Sequence, residues 1–153
     1  MRLLIVDDDA GFRQSLALLL SESGYGVEAE GDPERALARA IAEEFELILC
    51  DVKMPGMDGL SFLRRYRAES GQALIIMMSA FGDEDAAIAA MREGAYDYLQ
   101  KPFKPDEVIL TVRKAEERER LRREVDALRS TLFPLFIVVV HHRRRGFPSR
   151  RLI

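Results

Sequence analysis

Leu47-Ile48-Leu49-Cys50-Asp51-Val52-Lys53-Met54-Pro55-Gly56-Met57-Asp58-Gly59 is the stretch whose reading decides the fold. An apolar run of strand length ends in a carboxylate, and a loop rich in Pro and Gly follows at once. A short continuous apolar run bounded by turn residues reads as a buried parallel strand. Asp51 then stands at the carboxyl end of that strand, where open α/β sheets place their ligands. Asp51 could instead cap the next helix. That helix starts near Leu60, however, and Asp58 is better placed to cap it.

Working outward, the same unit recurs on both sides. Leu3-Leu4-Ile5-Val6 is a strand ending in Asp7-Asp8-Asp9. Phe12, Leu16, Leu19 and Leu20 follow at helical spacing, and Gly24 stops that helix. Val27-Glu28-Ala29-Glu30 is a more polar strand, as an edge strand can be. Asp32-Pro33 reads as an N-cap with proline at the first helical position. Ala36, Leu37, Ala40 and Ile41 give that helix its apolar face. A third helix runs from about Leu60 to Glu69, burying Leu60, Leu63 and Tyr66. Leu74-Ile75-Ile76-Met77-Met78 is the fourth strand, ending in Ser79. Asp83 caps a helix carrying Ala87, Ile88 and Met91, and Gly94 ends it. Tyr96-Asp97-Tyr98-Leu99 is a short fifth strand ending near Lys101-Pro102. A last helix opens around Pro105 and carries Val108, Ile109, Val112 and Ala115. Five alternating strand–helix units predict an α/β fold with a parallel sheet covered on both faces. Five strands suit an open doubly wound sheet better than a barrel.

At 153 residues, 48% hydrophobic and 32% charged, the chain is a globular domain with an appendage. Its single cysteine, Cys50, excludes an internal disulfide framework and suits a reducing, cytoplasmic setting. Cys50 lies inside an apolar run and reads as a buried, inert thiol. The N-terminus reaches acid at Asp7, too soon for a signal peptide. No apolar stretch is long enough to span a bilayer, so no membrane role is expected. The net charge of −3 hides an asymmetry. Residues 131–153 hold five arginines and no acid, which leaves 18 basic against 26 acidic residues over 1–130, a net charge of −8. The acidic folded part is a poor nucleic-acid binder on electrostatic grounds.

Four strands thus end in a functional polar group: Asp7 and Asp8, Asp51, Ser79, and Lys101. In a parallel sheet these ends share one edge. If the first and third strands are neighbours, three carboxylates converge and repel one another unless a cation intervenes. Mg²⁺ suits a few oxygens, waters and a phosphate. Lysine supplies a compact charge for a phosphate oxygen, and a serine hydroxyl can donate to another. That set is what forming an aspartyl phosphate requires. Each part has a plainer use alone. Asp7-Asp8-Asp9 suits a charge cluster at a helix start, Ser79 a turn, and Lys101-Pro102 a loop. Their joint placement favours the chemical reading.

The chain resembles the receiver domain of bacterial two-component response regulators. The residues that carry the resemblance are Val6-Asp7-Asp8, Asp51 within Asp51-Val52-Lys53-Met54-Pro55-Gly56-Met57-Asp58-Gly59, Ser79-Ala80 and Lys101-Pro102-Phe103. It covers about residues 2–118. It implies a flavodoxin-like (βα)5 sheet of strand order 2-1-3-4-5. It implies that Asp51 accepts a phosphoryl group from a sensor histidine kinase. Asp7, Asp8, Asp51 and the backbone carbonyl of Lys53 would hold Mg²⁺, and Lys101 would contact the phosphoryl group. Ser79 and Tyr98 would be the switch pair, acting on the surface formed by helix 4, strand 5 and helix 5. A cis peptide before Pro102 is also implied. So is a role in transcriptional regulation without turnover of an external substrate, limited to self-phosphorylation and slow autodephosphorylation.

The last helix continues past the receiver boundary at residue 118. Leu121, Val125, Leu128 and Leu132 follow 4-3-4 spacing, a short coiled-coil seam over a linker at 119–130. This extension resembles the linker of NtrC-type, sigma-54-dependent activators. It suggests a homodimer through helix 5, with the face of helix 4, strand 5 and helix 5 as the other candidate surface. Residues 131–153 form an atypical tail, apolar and β-prone through Val140 and then basic, and read as a truncated or non-native end. A membrane-surface or nucleic-acid tail is the other reading. His141-His142 is a weak metal-ligand pair. Two further functions compete with the receiver reading. One is a phosphorylation-independent scaffold dimerising through helix 5. The other is a haloacid-dehalogenase-like phosphatase, which would want a second Asp where Lys53 stands, together with a cap domain.

Overall fold

The computed structural model describes residues 1–144, with side chains as far as Leu132. Ten elements alternate along the chain: β1 (Arg2–Val6), α1 (Ala10–Glu22), β2 (Gly26–Glu30), α2 (Pro33–Ala42), β3 (Leu47–Asp51), α3 (Gly59–Ala68), β4 (Leu74–Ser79), α4 (Glu84–Arg92), β5 (Asp97–Gln100) and α5 (Pro105–Arg144). The five strands form one sheet in the order β2-β1-β3-β4-β5, and every neighbouring pair is parallel. The flavodoxin-like order expected from the resemblance is therefore the observed one.

Side chains alternate across the sheet with period two, and this builds two cores. Leu4, Val6, Ile48, Cys50, Ile75 and Met77 pack with Phe62 and Leu63 of α3 and with Ala87 and Ala90 of α4. Leu3, Ile5, Leu47, Leu49, Ile76 and Met78 face the other way, onto Leu16 and Leu20 of α1 and Val108 and Val112 of α5. The central strands carry apolar residues on both faces because both faces are covered. Burying each such side chain stabilises by about 1.5–3 kcal/mol as an upper figure.

Helix starts are set by aspartates. Asp9, Asp32 and Asp58 each accept a hydrogen bond from the backbone N–H three residues on, at Phe12, Arg35 and Ser61. Such a cap is typically worth about 1 kcal/mol. Gly24 and Gly94, at φ +96° and +108°, close α1 and α4 in a backbone region where only glycine is unstrained.

Four expectations need correction. Ile41 and Ile88 are 45% and 42% exposed, because the buried stripes of α2 and α4 run through Ala36, Leu37, Ala40 and through Ala87, Ala90. Leu60 is only half-buried, whereas Phe62 is fully buried. The stripe of α3 is Gly59, Phe62, Leu63, Tyr66, the i, i+3, i+4, i+7 pattern of a face turned fully onto a core. Asp83 occupies the N-cap position of α4 but makes no side-chain cap hydrogen bond. Its carboxylate pairs with Lys53 instead, at 2.7 Å.

The chain divides into two compact units, Met1–Glu117 and Arg118–Ile153. In the second, the helix carries Leu121, Val125, Leu128 and Leu132 exposed to between 45% and 62%. Arg120 pairs with Glu124 at 2.8 Å and Arg122 with Asp126 at 3.5 Å, the i, i+4 pairs that support a solvated helix. The helical backbone runs to Arg144, so the β-prone run near Val140 is helical. β propensity reflects fit to a pleated, half-buried surface rather than an intrinsic backbone preference. The side chains of His141, His142 and the basic residues after them lie outside the described residues. Among the described residues, no helix is long and apolar enough to cross a membrane.

Candidate functional site

Sheet order decides which strand ends meet. β1 and β3 are hydrogen-bonded neighbours, with Val6 opposite Cys50. The next residue on each strand is therefore an aspartate at the same edge, Asp7 and Asp51. Asp7 is fully buried and Asp51 is 8% exposed. Asp8, next along the loop, is exposed. Carboxylate oxygens of Asp7, Asp8 and Asp51 lie within 4.8 Å of one another.

Lys101 reaches this group from the end of β5. Its Nζ donates to Asp7 Oδ2 at 2.6 Å and to Asp51 Oδ2 at 3.2 Å. The same ammonium lies 4.1 Å from the centroid of the Phe12 ring, which packs edge-on against Phe103. The aromatic pair shields one side of the lysine and adds a cation–π contact. The Lys101–Pro102 peptide is cis, as the resemblance implied. Lys101 N–H donates to Ser79 C=O at 2.7 Å, which fastens the end of β5 to the end of β4.

Ser79 is fully buried at that same edge. Its Oγ has no hydrogen-bond partner among the described residues. A buried hydroxyl without a partner costs about 1–3 kcal/mol, and such a group invites a functional reason. Tyr98 does not join the cluster. It stands on β5 with 40% of its surface exposed.

The charges are strained in a specific sense. Burial pushes the Asp51 carboxyl above its ordinary value of 3.8, and the Asp7 charge adds to that push. The Lys101 charge and the Lys53 N–H, which donates to Asp51 Oδ1 at 3.3 Å, only partly offset it. Lys101 feels burial as a downward push, but its bonds to Asp7 and Asp51 outweigh it and hold the ammonium above 10.5. Three carboxylates against one ammonium leave excess negative charge, and the donors are hard oxygens open to solvent on the Asp8 side. That donor set fits a Mg²⁺ ion, which binds through one or two carboxylates and keeps positions for water and phosphate oxygens. Cys50 is fully buried and its thiol is pushed up by burial, so it adds no nucleophile.

Three further residues shape the site through contacts that the sequence alone does not show. Arg13 of α1 donates to the Asp7 carbonyl oxygen at 2.6 Å, steadying the loop that carries both N-terminal acids. A Cβ at Gly59 would meet the Asp51 carbonyl oxygen at 2.6 Å and the Val52 Cα at 2.9 Å. Glycine here lets α3 start against the end of β3. Asp83 holds the Lys53 side chain. Each contact involves a loop or the end of a strand, so the periodicity of helices and strands carries no sign of them.

A family model described as the response regulator receiver domain matches residues 3–113. The chain is 34% identical over 125 residues to the C4-dicarboxylate transport transcriptional regulatory protein DctD of Rhizobium meliloti, covering 82% of this chain and 27% of that one. It is 37% identical over 111 residues to the transcriptional regulatory protein FixJ of Bradyrhizobium diazoefficiens, covering 72% and 54%. A crystal structure of NtrX from Brucella abortus in complex with ADP superposes with a TM-score of 0.78 at 35% identity, over 84% of this chain and 30% of that one. The chain thus spans between about a quarter and about half the length of these relatives.

Proposed function

The chain belongs to the response regulator receiver domain family, and we propose that within it Asp51 is the acceptor of a phosphoryl group from a sensor histidine kinase. The observation that carries this reading is the Lys101 ammonium bridging Asp7 and Asp51 at adjoining strand ends, beside the partnerless Ser79 hydroxyl. An Asp51 carboxylate oxygen attacks phosphorus, the N–P bond of the kinase's phosphohistidine breaks, and an acyl phosphate forms. Asp7, Asp8, Asp51 and the backbone carbonyl of Lys53 would hold Mg²⁺, the three carboxylates offering oxygens within 4.8 Å of one another. Bound there, the ion would neutralise charge on the phosphoryl oxygens.

Once Asp51 is phosphorylated, Lys101 keeps Asp7 and gains a phosphoryl oxygen in place of the Asp51 carboxylate. Ser79 donates to a second phosphoryl oxygen and so satisfies its hydroxyl. These contacts exist only in the modified state, which is what biases a two-state equilibrium. Tyr98 follows by turning inward as Ser79 moves. The readout is then the surface of α4, β5 and α5, where Ile88, Tyr98 and Leu110 are exposed. The chain turns over no external substrate and works in the cytoplasm, in transcriptional regulation. The receiver itself makes no direct nucleic-acid contact. Homodimers form through that face or through the α5 stripe Leu121, Val125, Leu128 and Leu132.

Beryllofluoride, a phosphoryl mimic, tests the reading. It should bind the wild-type chain only with Mg²⁺ present, and Asp51→Asn should abolish binding while the fold is retained. Equal binding to both proteins would sink the assignment of Asp51.

A further inference from the structure

Four helices begin at an aspartate, and one of the four aspartates is diverted. Asp9, Asp32 and Asp58 have extended N-cap backbones, with ψ of 106°, 119° and 169°, and each caps its helix. Asp83 has φ −105° and ψ 14° and caps nothing with its side chain. Its carboxylate accepts from Lys53 Nζ at 2.7 Å. Only 11% of the Asp83 side chain is exposed, against 71% for Lys53. Lys53 follows Asp51 by two residues, and Asp83 follows Ser79 by four. The pair therefore joins the loop after β3 to the loop after β4. One loop follows the phosphoacceptor and the other follows the buried, partnerless hydroxyl of Ser79.

We propose that the Lys53–Asp83 pair is a latch that holds the β4–α4 loop in its resting position, and that Asp83 exchanges Lys53 for the N-terminus of α4 when the loop moves. The inference rests on the receiver reading, since the movement is the one that carries Ser79 toward a phosphoryl group. One carboxylate oxygen set has two uses that its present backbone geometry keeps apart. An extended ψ at Asp83, like that of the three working caps, would aim the carboxylate at the Ala86 N–H. The first turn of α4 also carries Glu84, whose Oε1 already accepts from Gly82 N–H at 3.3 Å and from Gln100 Nε2 at 3.0 Å. Glu84 is therefore engaged with the loop and β5, Asp85 lies inside the helix, and Asp83, at the N-cap position, is the carboxylate placed to trade partners. A ligand shifts a two-state equilibrium only by its differential affinity for the two states. Removing the latch should thus appear as tighter binding of a phosphoryl mimic.

The test is beryllofluoride titration with Mg²⁺ on wild type, Lys53→Met, Asp83→Asn, Asp83→Ala and the Lys53→Met/Asp83→Ala double variant, with amide hydrogen exchange at Ala86. Lys53→Met keeps the backbone carbonyl and frees Asp83 to cap. Asp83→Asn loses the ion pair but can still cap. Both should bind beryllofluoride about 2- to 5-fold more tightly than wild type, the span a part-exposed ion pair supports. Ala86 exchange should slow in Lys53→Met. In the Asp83→Ala background, Lys53→Met should add nothing, because the two residues act as one pair. Unchanged affinity in Lys53→Met, or an undiminished effect of Lys53→Met on top of Asp83→Ala, would overturn the latch while leaving the receiver reading intact. Failure of the wild type to bind beryllofluoride would overturn that reading and the latch with it.

Discussion

Lys101 Nζ lies 3.2 Å from Asp51 Oδ2, although 50 positions separate the two residues in sequence. The contact follows from two facts of topology: β3 and β4 are neighbours, and β4 and β5 are neighbours. The same Nζ lies 2.6 Å from Asp7. One cation therefore balances two nearly buried carboxylates, and most consequences of the site can be worked out from that imbalance.

Lys101→Met should destabilise the metal-free protein by about 1–3 kcal/mol, because Asp7 and Asp51 are left facing each other without a counter-charge. Thermal unfolding measures this. Added Mg²⁺ should recover much of the loss, more in the variant than in wild type. A melting temperature equal to wild type without Mg²⁺ would contradict the charge balance described.

The pH dependence has a defined sign. The Asp51 pKa is raised in the folded protein, chiefly by burial. Its contribution to stability is therefore present below the unfolded carboxylate value and lost as pH rises through the raised folded value. Asp51→Asn should accordingly raise metal-free stability at neutral pH, and the advantage should vanish toward pH 3.8 and below. Lys101 is raised above 10.5, so its contribution is full below 10.5 and lost on the alkaline side as pH climbs through the folded value. Melting curves across both limbs, for wild type and Asp51→Asn, check both statements.

Ser79→Ala separates stability from switching. The hydroxyl is buried without a partner, so its removal should leave stability within about 1 kcal/mol of wild type, or raise it. Beryllofluoride affinity should fall several-fold, because a donor to the bound group is gone. A large loss of stability would mean that the hydroxyl already has a partner at rest.

Gly59→Ala should cost about 1–3 kcal/mol, the usual range for forcing an extra methyl into a packed region. The new Cβ meets backbone at the end of β3, which cannot swing aside as a side chain could. Mg²⁺ affinity, measured by calorimetry, should weaken together with stability because Asp51 must shift. Weakened stability with unchanged Mg²⁺ affinity would show that the strain is absorbed by α3.

Much of this site was legible in the sequence, for a physical reason. Each strand is a short apolar run, and the polar residue ending it is forced to the sheet edge. Asp7, Asp51, Ser79 and Lys101 could thus be assigned to one edge from their positions alone. What local pattern could not supply was phase and partnership. An i, i+3 stripe through Leu60 and Leu63 fits the segment of α3 as well as the stripe through Phe62 does, so the pattern does not mark Phe62 as core. Ile41 and Ile88 look like core residues by type, but small alanines do the packing on α2 and α4. Asp83 has the right residue type for a cap, and only the fold reveals that Lys53 takes its carboxylate. Arg13 and Gly59 matter through residues that the chain brings near them.

The most direct measurement of the central claim is intact and peptide mass spectrometry after incubation with Mg²⁺ and acetyl phosphate. A single, chemically labile phosphoryl adduct should appear on the peptide containing Asp51, absent without Mg²⁺ and absent in Asp51→Asn. A well-folded wild-type protein that takes up no phosphoryl group, or an adduct that persists in Asp51→Asn, would contradict it.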